Sequence, residues 1–291
     1  MKYSRRRFLA GGAALAAGFA ASARAGKAGV AQRIPVALEL YSLREEAGRD
    51  LPGTLAGIKK IGYDGIELVS EKGGLLSNET LWGRPFKDVA AMIADHGLRV
   101  YSMHHGFNLF AEDQLERTIA INQMVGNRNL ICAWMPPSAV IAPWYERAKA
   151  FNAIQAKVEK YGMHVGLHNH DAELKPVEGK RPWDVFMDNT ASGVTGQMHL
   201  AWFPAAGLDP VAYIRKYPGR SRTLQLNDWA PPDRHDVLLG EGKVDWKALF
   251  AAAESTGGIE VYVIEQESYP AGMAPMEASR RCLENFRRLR G

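Results

Sequence analysis

The chain has 291 residues, 46% apolar and 23% charged. Those values exclude a disordered or collagen-like polymer and fit one α/β barrel of roughly 250 residues or two small domains. The formal charge of +4 comes from the N-terminus: Lys2, Arg5, Arg6, Arg7 and Arg24 fall in the first 25 residues with no acid among them, and the remainder carries 31 basic against 32 acidic residues. A near-neutral body gives no electrostatic reason to expect a nucleic-acid partner.

Ser4-Arg5-Arg6-Arg7-Phe8-Leu9 is followed by an apolar, small-residue run over 10–21 and by Ala23-Arg24-Ala25. A basic start, a short apolar stretch and an A-x-A site are the parts of a secretory signal, and the paired arginines look like the twin-arginine kind. The run is shorter than the roughly 20 residues of a membrane span. We therefore expect a signal over 1–25, export to the periplasm, no membrane attachment after cleavage, and a single domain over 26–291. Cys132 and Cys282, each in an apolar run, are expected to be buried thiols rather than a bridge.

Along the body, short apolar strands alternate with helical patterns. Strands are predicted at 34–41, 64–69, 98–104, 128–134, 163–168, 194–200, 222–226 and 259–265. Helices are predicted at 51–61, 86–96, 114–125, 144–161, 183–189, 210–217, 246–256 and 274–289, with Gly62, Gly97, Gly126 and Gly162 as stops. Strict alternation implies parallel βαβ units, and eight of them predict a closed (β/α)8 TIM barrel. No G-x-G-x-x-G follows an early strand, so a dinucleotide-binding sheet is disfavoured.

A barrel of this kind carries its chemistry at the C-terminal ends of its strands. Those ends supply Glu39, Tyr41, Glu67, His104, His105, His168, Asn169, His170, Glu173, His199, Trp202, Gln225, Asn227, Asp228, Glu265, Gln266 and Glu267. Imidazoles and carboxylates converging on one mouth suit Mn, Zn, Co or Fe better than calcium.

Several stretches resemble the xylose isomerase-like TIM-barrel superfamily of sugar isomerases and epimerases. They are Leu38-Glu39-Leu40-Tyr41-Ser42-Leu43-Arg44, Ile61-Gly62-Tyr63-Asp64-Gly65-Ile66-Glu67-Leu68 and Gly166-Leu167-His168-Asn169-His170-Asp171-Ala172-Glu173-Leu174. Further along come Ala206-Gly207-Leu208-Asp209-Pro210, Gly240-Glu241-Gly242-Lys243-Val244-Asp245-Trp246 and Ile264-Glu265-Gln266-Glu267. The resemblance implies one divalent ion (Mn, Co, Zn or Mg) held by Glu, Asp, His and Glu from strands five to eight. By position these fall on Glu173 or His168, then His199, Gln225 and Glu265, so His and Gln stand where the family has Asp and His.

The resemblance further implies proton transfer on a sugar or keto-sugar, with Glu265 or Glu173 as base and His170 and His105 as acid or hydroxyl-orienting groups. Glu39, Tyr41, His104, Asn169, Trp202, Asn227 and Asp228 are the expected substrate contacts. Elimination of a group β to the carbanion would make the protein a 3-keto-glycoside lyase. Export, with no phosphate cradle in the sequence, favours a neutral small carbohydrate over a sugar phosphate. The alternative is a non-catalytic carbohydrate-binding barrel with a degenerate metal site. A homo-oligomer is compatible with either.

Overall fold

A computed structural model describes residues 33–70 and 80–291. The expected signal and the boundary at residue 26 lie outside the described residues. Residues from Ile34 to Gly291 form one compact unit.

Eight strands close into a barrel: β1 (Val36–Glu39), β2 (Gly65–Val69), β3 (Arg99–Gly106), β4 (Asn129–Trp134), β5 (His164–His168), β6 (Thr195–His199), β7 (Thr223–Leu226) and β8 (Val261–Ile264). Each strand pairs in parallel with its sequence neighbours, and β8 closes on β1 through Val36↔Tyr262 and Leu38↔Ile264. The helices are α1 (Leu51–Ile61), α2 (Phe86–Asp95), α3 (Glu112–Met124), α4 (Ala142–Val158), α5 (Pro182–Asp188), α6 (Pro210–Lys216), α7 (Trp246–Ala252) and α8 (Pro275–Arg290). The expected (β/α)8 architecture is the one observed.

Local chemistry explains the boundaries. Asp50, Asp209 and Asp245 each accept a backbone N–H in the first turn of α1, α6 and α7, satisfying donors that a helix start leaves orphaned. Gly62 ends α1 at φ 102°, a left-handed conformation that favours glycine. Sequence periodicity missed a short helix at Arg44–Arg49, another at Trp202–Ala205, and a small antiparallel pair, Thr80–Leu81 with Arg84–Pro85. All three lie in loops too short for a periodic pattern. Among the described residues no helix is long and apolar enough to cross a membrane.

The main core lies between strands and helices, and both cysteines are buried in it with no disulfide between them. Inside the barrel, Ala37, Val261 and Val263 pack together with Tyr101 against them and plug the N-terminal end. Above this plug the interior turns polar: Glu39, Glu67, Ser102, Gln197, Thr223 and Gln225 have no exposed surface. Buried polar groups are tolerated only when paired, so the partners of these side chains define what the barrel mouth can do.

Candidate active site

Glu67, the third residue of β2, sits at the centre of the polar floor. Its Oε1 accepts from Gln197 Nε2 (2.6 Å) and from the Ser102 hydroxyl, and its Oε2 accepts from Gln225 Nε2 (2.7 Å). Gln197 Nε2 also donates to Thr223 Oγ1 (3.0 Å), while Gln197 Oε1 lies 2.7 Å from His104 Nε2 and 3.2 Å from His168 Nδ1. Burial and the adjacent Glu67 hold the Glu39 carboxyl well above the usual carboxylate range. Glu39, Glu67 and His104 each present a ligand atom within 4.8 Å of the others and could hold a metal ion. Those of Glu67 and His104 are already engaged with side chains of the floor.

The rim above is different. His199 closes β6 and Glu265 follows β8; His199 Nδ1 lies 3.2 Å from Glu265 Oε2. Gln225 pairs with His199 in strand register. His199 Nδ1, Gln225 Oε1 and Glu265 Oε2 are buried and lack a well-formed hydrogen bond. His168 joins them from β5, its ring centroid 5.5 Å from that of His199 and 4.9 Å from that of His170. A cavity of about 130 Å³ opens over this rim, lined by Tyr41, Val69, His104, Ala133, Trp134, His168, His170, Glu265 and Glu267.

Burial dominates the electrostatics. It pushes the His199 and His170 imidazoles down to about 4, and with His104, His170 and His199 nearby it holds His168 well below its usual range. The same burial raises Glu265 to about 7. Glu267 is raised first by the charge of Glu265 and then by burial. The mouth therefore holds neutral imidazoles beside one carboxyl group, Glu265, that titrates near neutrality and a second, Glu267, raised above its usual range, a combination suited to moving protons.

The structure redistributes several expected roles. His105 points away from the mouth: Asn122 Nδ2 of α3 donates to its Nε2 (2.9 Å) and Ser70 Oγ lies 3.4 Å from its Nδ1. Successive strand side chains face opposite sides, so His104 takes the inner face and His105 the outer one. Glu173 is also outside the cavity, on the turn after β5, where its Oε2 accepts from His170 N (2.9 Å) and fixes the backbone carrying His170. Of the two candidates for the first ligand, only His168 reaches the mouth.

Asn169 Oδ1 accepts from His199 N, and Asn227 Oδ1 accepts from Ala201 N. Both amides brace the rim rather than line the cavity. Asp228 accepts from the backbone of Trp229, Gly240, Gly242 and Val244 and from Trp246 Nε1, so it organises a loop and has no capacity left for substrate. Glu39 lies in the floor, below the cavity. Trp202 packs against His235 at the edge of the rim, ring centroids 4.4 Å apart and planes tilted by 41°. Tyr41 and His104 line the cavity as expected. Sequence reasoning assigned no role to Gln197 or Glu267. The signal for Gln197 was its place two residues before His199, on the same strand face.

An eight-stranded parallel barrel whose polar groups gather at the C-terminal mouth defines the broad class of α/β-barrel proteins with a functional rim. The sequence profile of the xylose isomerase-like TIM barrel family matches residues 55–288, and the chain belongs to that family. No protein of curated function matches it in sequence. Among solved structures it is similar to a sugar phosphate isomerase/epimerase from Parabacteroides distasonis ATCC 8503, with 23% identity, 87% of this chain and 97% of that one covered, and a TM-score of 0.73. It is similar also to the 3-keto-D-glucoside 4-epimerase YcjR from E. coli (16% identity, 89% and 99% covered, TM-score 0.62). A third is the IOLI protein with a binding zinc atom (14% identity, 88% and 98% covered, TM-score 0.67). At these identities the likeness is one of fold.

Proposed function

We propose that this barrel is an exported, divalent-metal-dependent enzyme that moves a proton on a neutral sugar or keto-sugar, as an isomerase, epimerase or lyase. The observation that carries this reading is the row of buried atoms on neighbouring strand ends, His199 Nδ1, Gln225 Oε1 and Glu265 Oε2, left without well-formed hydrogen bonds. An imidazole nitrogen, an amide oxygen and a carboxylate oxygen are all good ligand atoms, and leaving them without well-formed hydrogen bonds in a buried site is costly. His168, at the same mouth, is the fourth candidate donor; its ligand atoms do not close on those of His199 and Glu265 within the 4.8 Å that joins Glu39, Glu67 and His104, but that floor triad has already spent its Glu67 and His104 atoms on protein partners. Two imidazoles in the set favour Co or Zn over Mg.

One proton must move for the set to bind. The Asn227 amide gives its oxygen to Ala201 N and so presents its NH2 to His199 Nε2. The neutral His199 ring then carries its proton on Nδ1, facing Glu265. Were an ion held there, His199 would present Nδ1 to it as a bare lone pair, with that proton released to solvent, in keeping with the proton release that accompanies metal binding. Once bound, the ion supplies Lewis-acid polarisation of a sugar carbonyl or hydroxyl.

The remaining chemistry belongs to the chain. Glu267, raised in pKa and lining the cavity, accepts the proton from the carbon beside the carbonyl. His170, neutral and held by the Glu173 contact to its backbone, hydrogen-bonds a sugar hydroxyl or leaving oxygen. Trp134, 51% exposed at the lip, offers a flat apolar face to a sugar ring. Return of the proton to the neighbouring carbon isomerises, return from the opposite face epimerises, and loss of a β substituent cleaves a 3-keto-glycoside. No lysine or arginine lines the cavity among the described residues, which favours an uncharged substrate.

The test is metal analysis of the purified protein, before and after reconstitution with Mn, Co or Zn. Incubation with 3-keto-glycosides and free sugars in D2O then follows, with C–H loss read by proton NMR. About one ion per chain and exchange at a single carbon are expected. Absence of metal under every condition, with sugar bound but not exchanged, would make this a binding barrel instead. Activity confined to phosphorylated sugars would overturn the neutral-substrate assignment.

A further inference from the structure

The floor and the rim are connected by amides, and amides have direction. A carboxylate accepts hydrogen bonds and a primary amide has one donating and one accepting end. These rules fix which way each amide faces. We infer that Glu67 is the positioning residue that turns two rim donors toward the mouth, the Gln225 oxygen directly and the His168 Nε2 lone pair through Gln197. The inference rests on the proposed ligand set and adds what orients it.

Two chains of hydrogen bonds run from the one carboxylate. In the first, Glu67 Oε2 lies 2.7 Å from one end of the Gln225 amide, and Glu39 Oε2 lies 3.4 Å from the same end. That end must be the NH2, so the oxygen faces away from the floor; it is the buried Oε1 that has no partner. In the second, Glu67 Oε1 lies 2.6 Å from one end of the Gln197 amide, making that end the NH2 as well. The other end, Oε1, can only accept. It lies 3.2 Å from His168 Nδ1, so that nitrogen carries the ring proton. A neutral imidazole has one N–H, so His168 Nε2 is left as a bare lone pair. The ring lines the cavity beside His170 and Glu265.

Ser102 makes the direction hard to reverse. Its hydroxyl donates to Glu67 Oε1, and Thr223 Oγ1 takes a second proton from the same Gln197 NH2. Turning Gln197 over would set its oxygen against the Glu67 carboxylate and its NH2 against two ring nitrogens. The charge of one buried residue therefore fixes the hydrogen-bonding sense of two others on strands β6 and β7, and of an imidazole on β5. A ligand oriented by a partner of this kind commonly loses about ten- to a hundredfold in metal affinity when the partner is changed.

The experiment reads tautomers in the metal-free protein by nitrogen-15 NMR of the histidine rings, and binding with zinc alone. In the unaltered protein His168 is expected to carry its proton on Nδ1. Glu67→Gln offers a donor as well as an acceptor at the floor, so both amides can turn. It should mix the His168 tautomers and weaken zinc binding about ten- to a hundredfold. Gln197→Leu should mix the His168 tautomers too but leave Gln225 oriented, with a smaller loss of zinc affinity. A His168 proton on Nε2 in the unaltered protein overturns the inference whether or not either variant folds. So does a Glu67→Gln protein that is less stable but keeps the tautomer and zinc affinity, because Glu67 would then only support the fold. If no sugar is turned over, the tautomer result still stands and only the functional reading fails.

Discussion

Asp228 and Glu265 are two buried carboxylates just beyond the ends of neighbouring strands, β7 and β8. From sequence they look alike. Asp228 takes hydrogen bonds from four backbone N–H groups and the Trp246 indole. Glu265 faces an imidazole and a cavity with one oxygen lacking a well-formed hydrogen bond. The difference teaches how to read a polar strand end: a carboxylate whose lone pairs are filled by its own loop holds structure, and one left short is free to act on something else.

The sharpest way to break this comparison is to neutralise each residue in turn. Glu265→Gln is expected to reduce turnover about a thousandfold or more, with loss of the bound ion and little change in thermal stability. Steady-state rates, metal content and Tm on one preparation decide it; a variant that keeps its rate moves the chemistry elsewhere. Asp228→Asn should do the reverse. Its NH2 would meet backbone donors, costing about 3–5 kcal/mol of stability by denaturant unfolding while the ion still binds to whatever protein remains folded. Equal losses of turnover from both variants at matched stability would erase the distinction.

A smaller effect separates the two histidines of β3. Burial pushes His105 down to about 4, against about 6.5 in the unfolded chain. Between those values the unfolded state binds the extra proton, so the stability His105 contributes is complete above about 6.5 and is lost as pH falls toward 4. Glu265, raised to about 7, acts with the opposite sign over an overlapping range, so the measurement must be a difference. His105→Gln, which keeps a hydrogen-bonding side chain near Asn122, should flatten the acid limb of the stability profile by about 2 kcal/mol at pH 5. Unfolding curves from pH 7.5 to 4.5 test it, and an unchanged slope would mean that His105 titrates normally.

These contrasts also mark what could be read in the residues alone. The barrel was legible because eight apolar strands alternate with helical patterns, and because Gly62, Gly97, Gly126 and Gly162 announce helix ends locally; the caps at Asp50, Asp209 and Asp245 emerged only from the structure. His168, His199, Gln225 and Glu265 were legible as strand-end residues. The part played by Asp228 was not, since its partners lie at 240–246 and only the folded loop brings them near. Gln197 was overlooked for a chemical reason: a neutral amide inside a strand carries no sign that it relays the direction of a hydrogen bond. Glu173 misled because a carboxylate five residues past His168 fits the family pattern, while the turn at Ala172–Leu174 carries it away from the mouth.

Strand β3 shifts register against both neighbours, at Ile66/Glu67 on one side and at His105/Gly106 on the other. It also presents two imidazoles in succession, and a slip of one residue would exchange them. The contacts of His105 with Asn122 and Ser70 therefore act as a latch on strand phase. The ring that takes no part in the mouth ensures that its neighbour does, and a histidine spent on anchorage becomes the reason the next one is aimed inward.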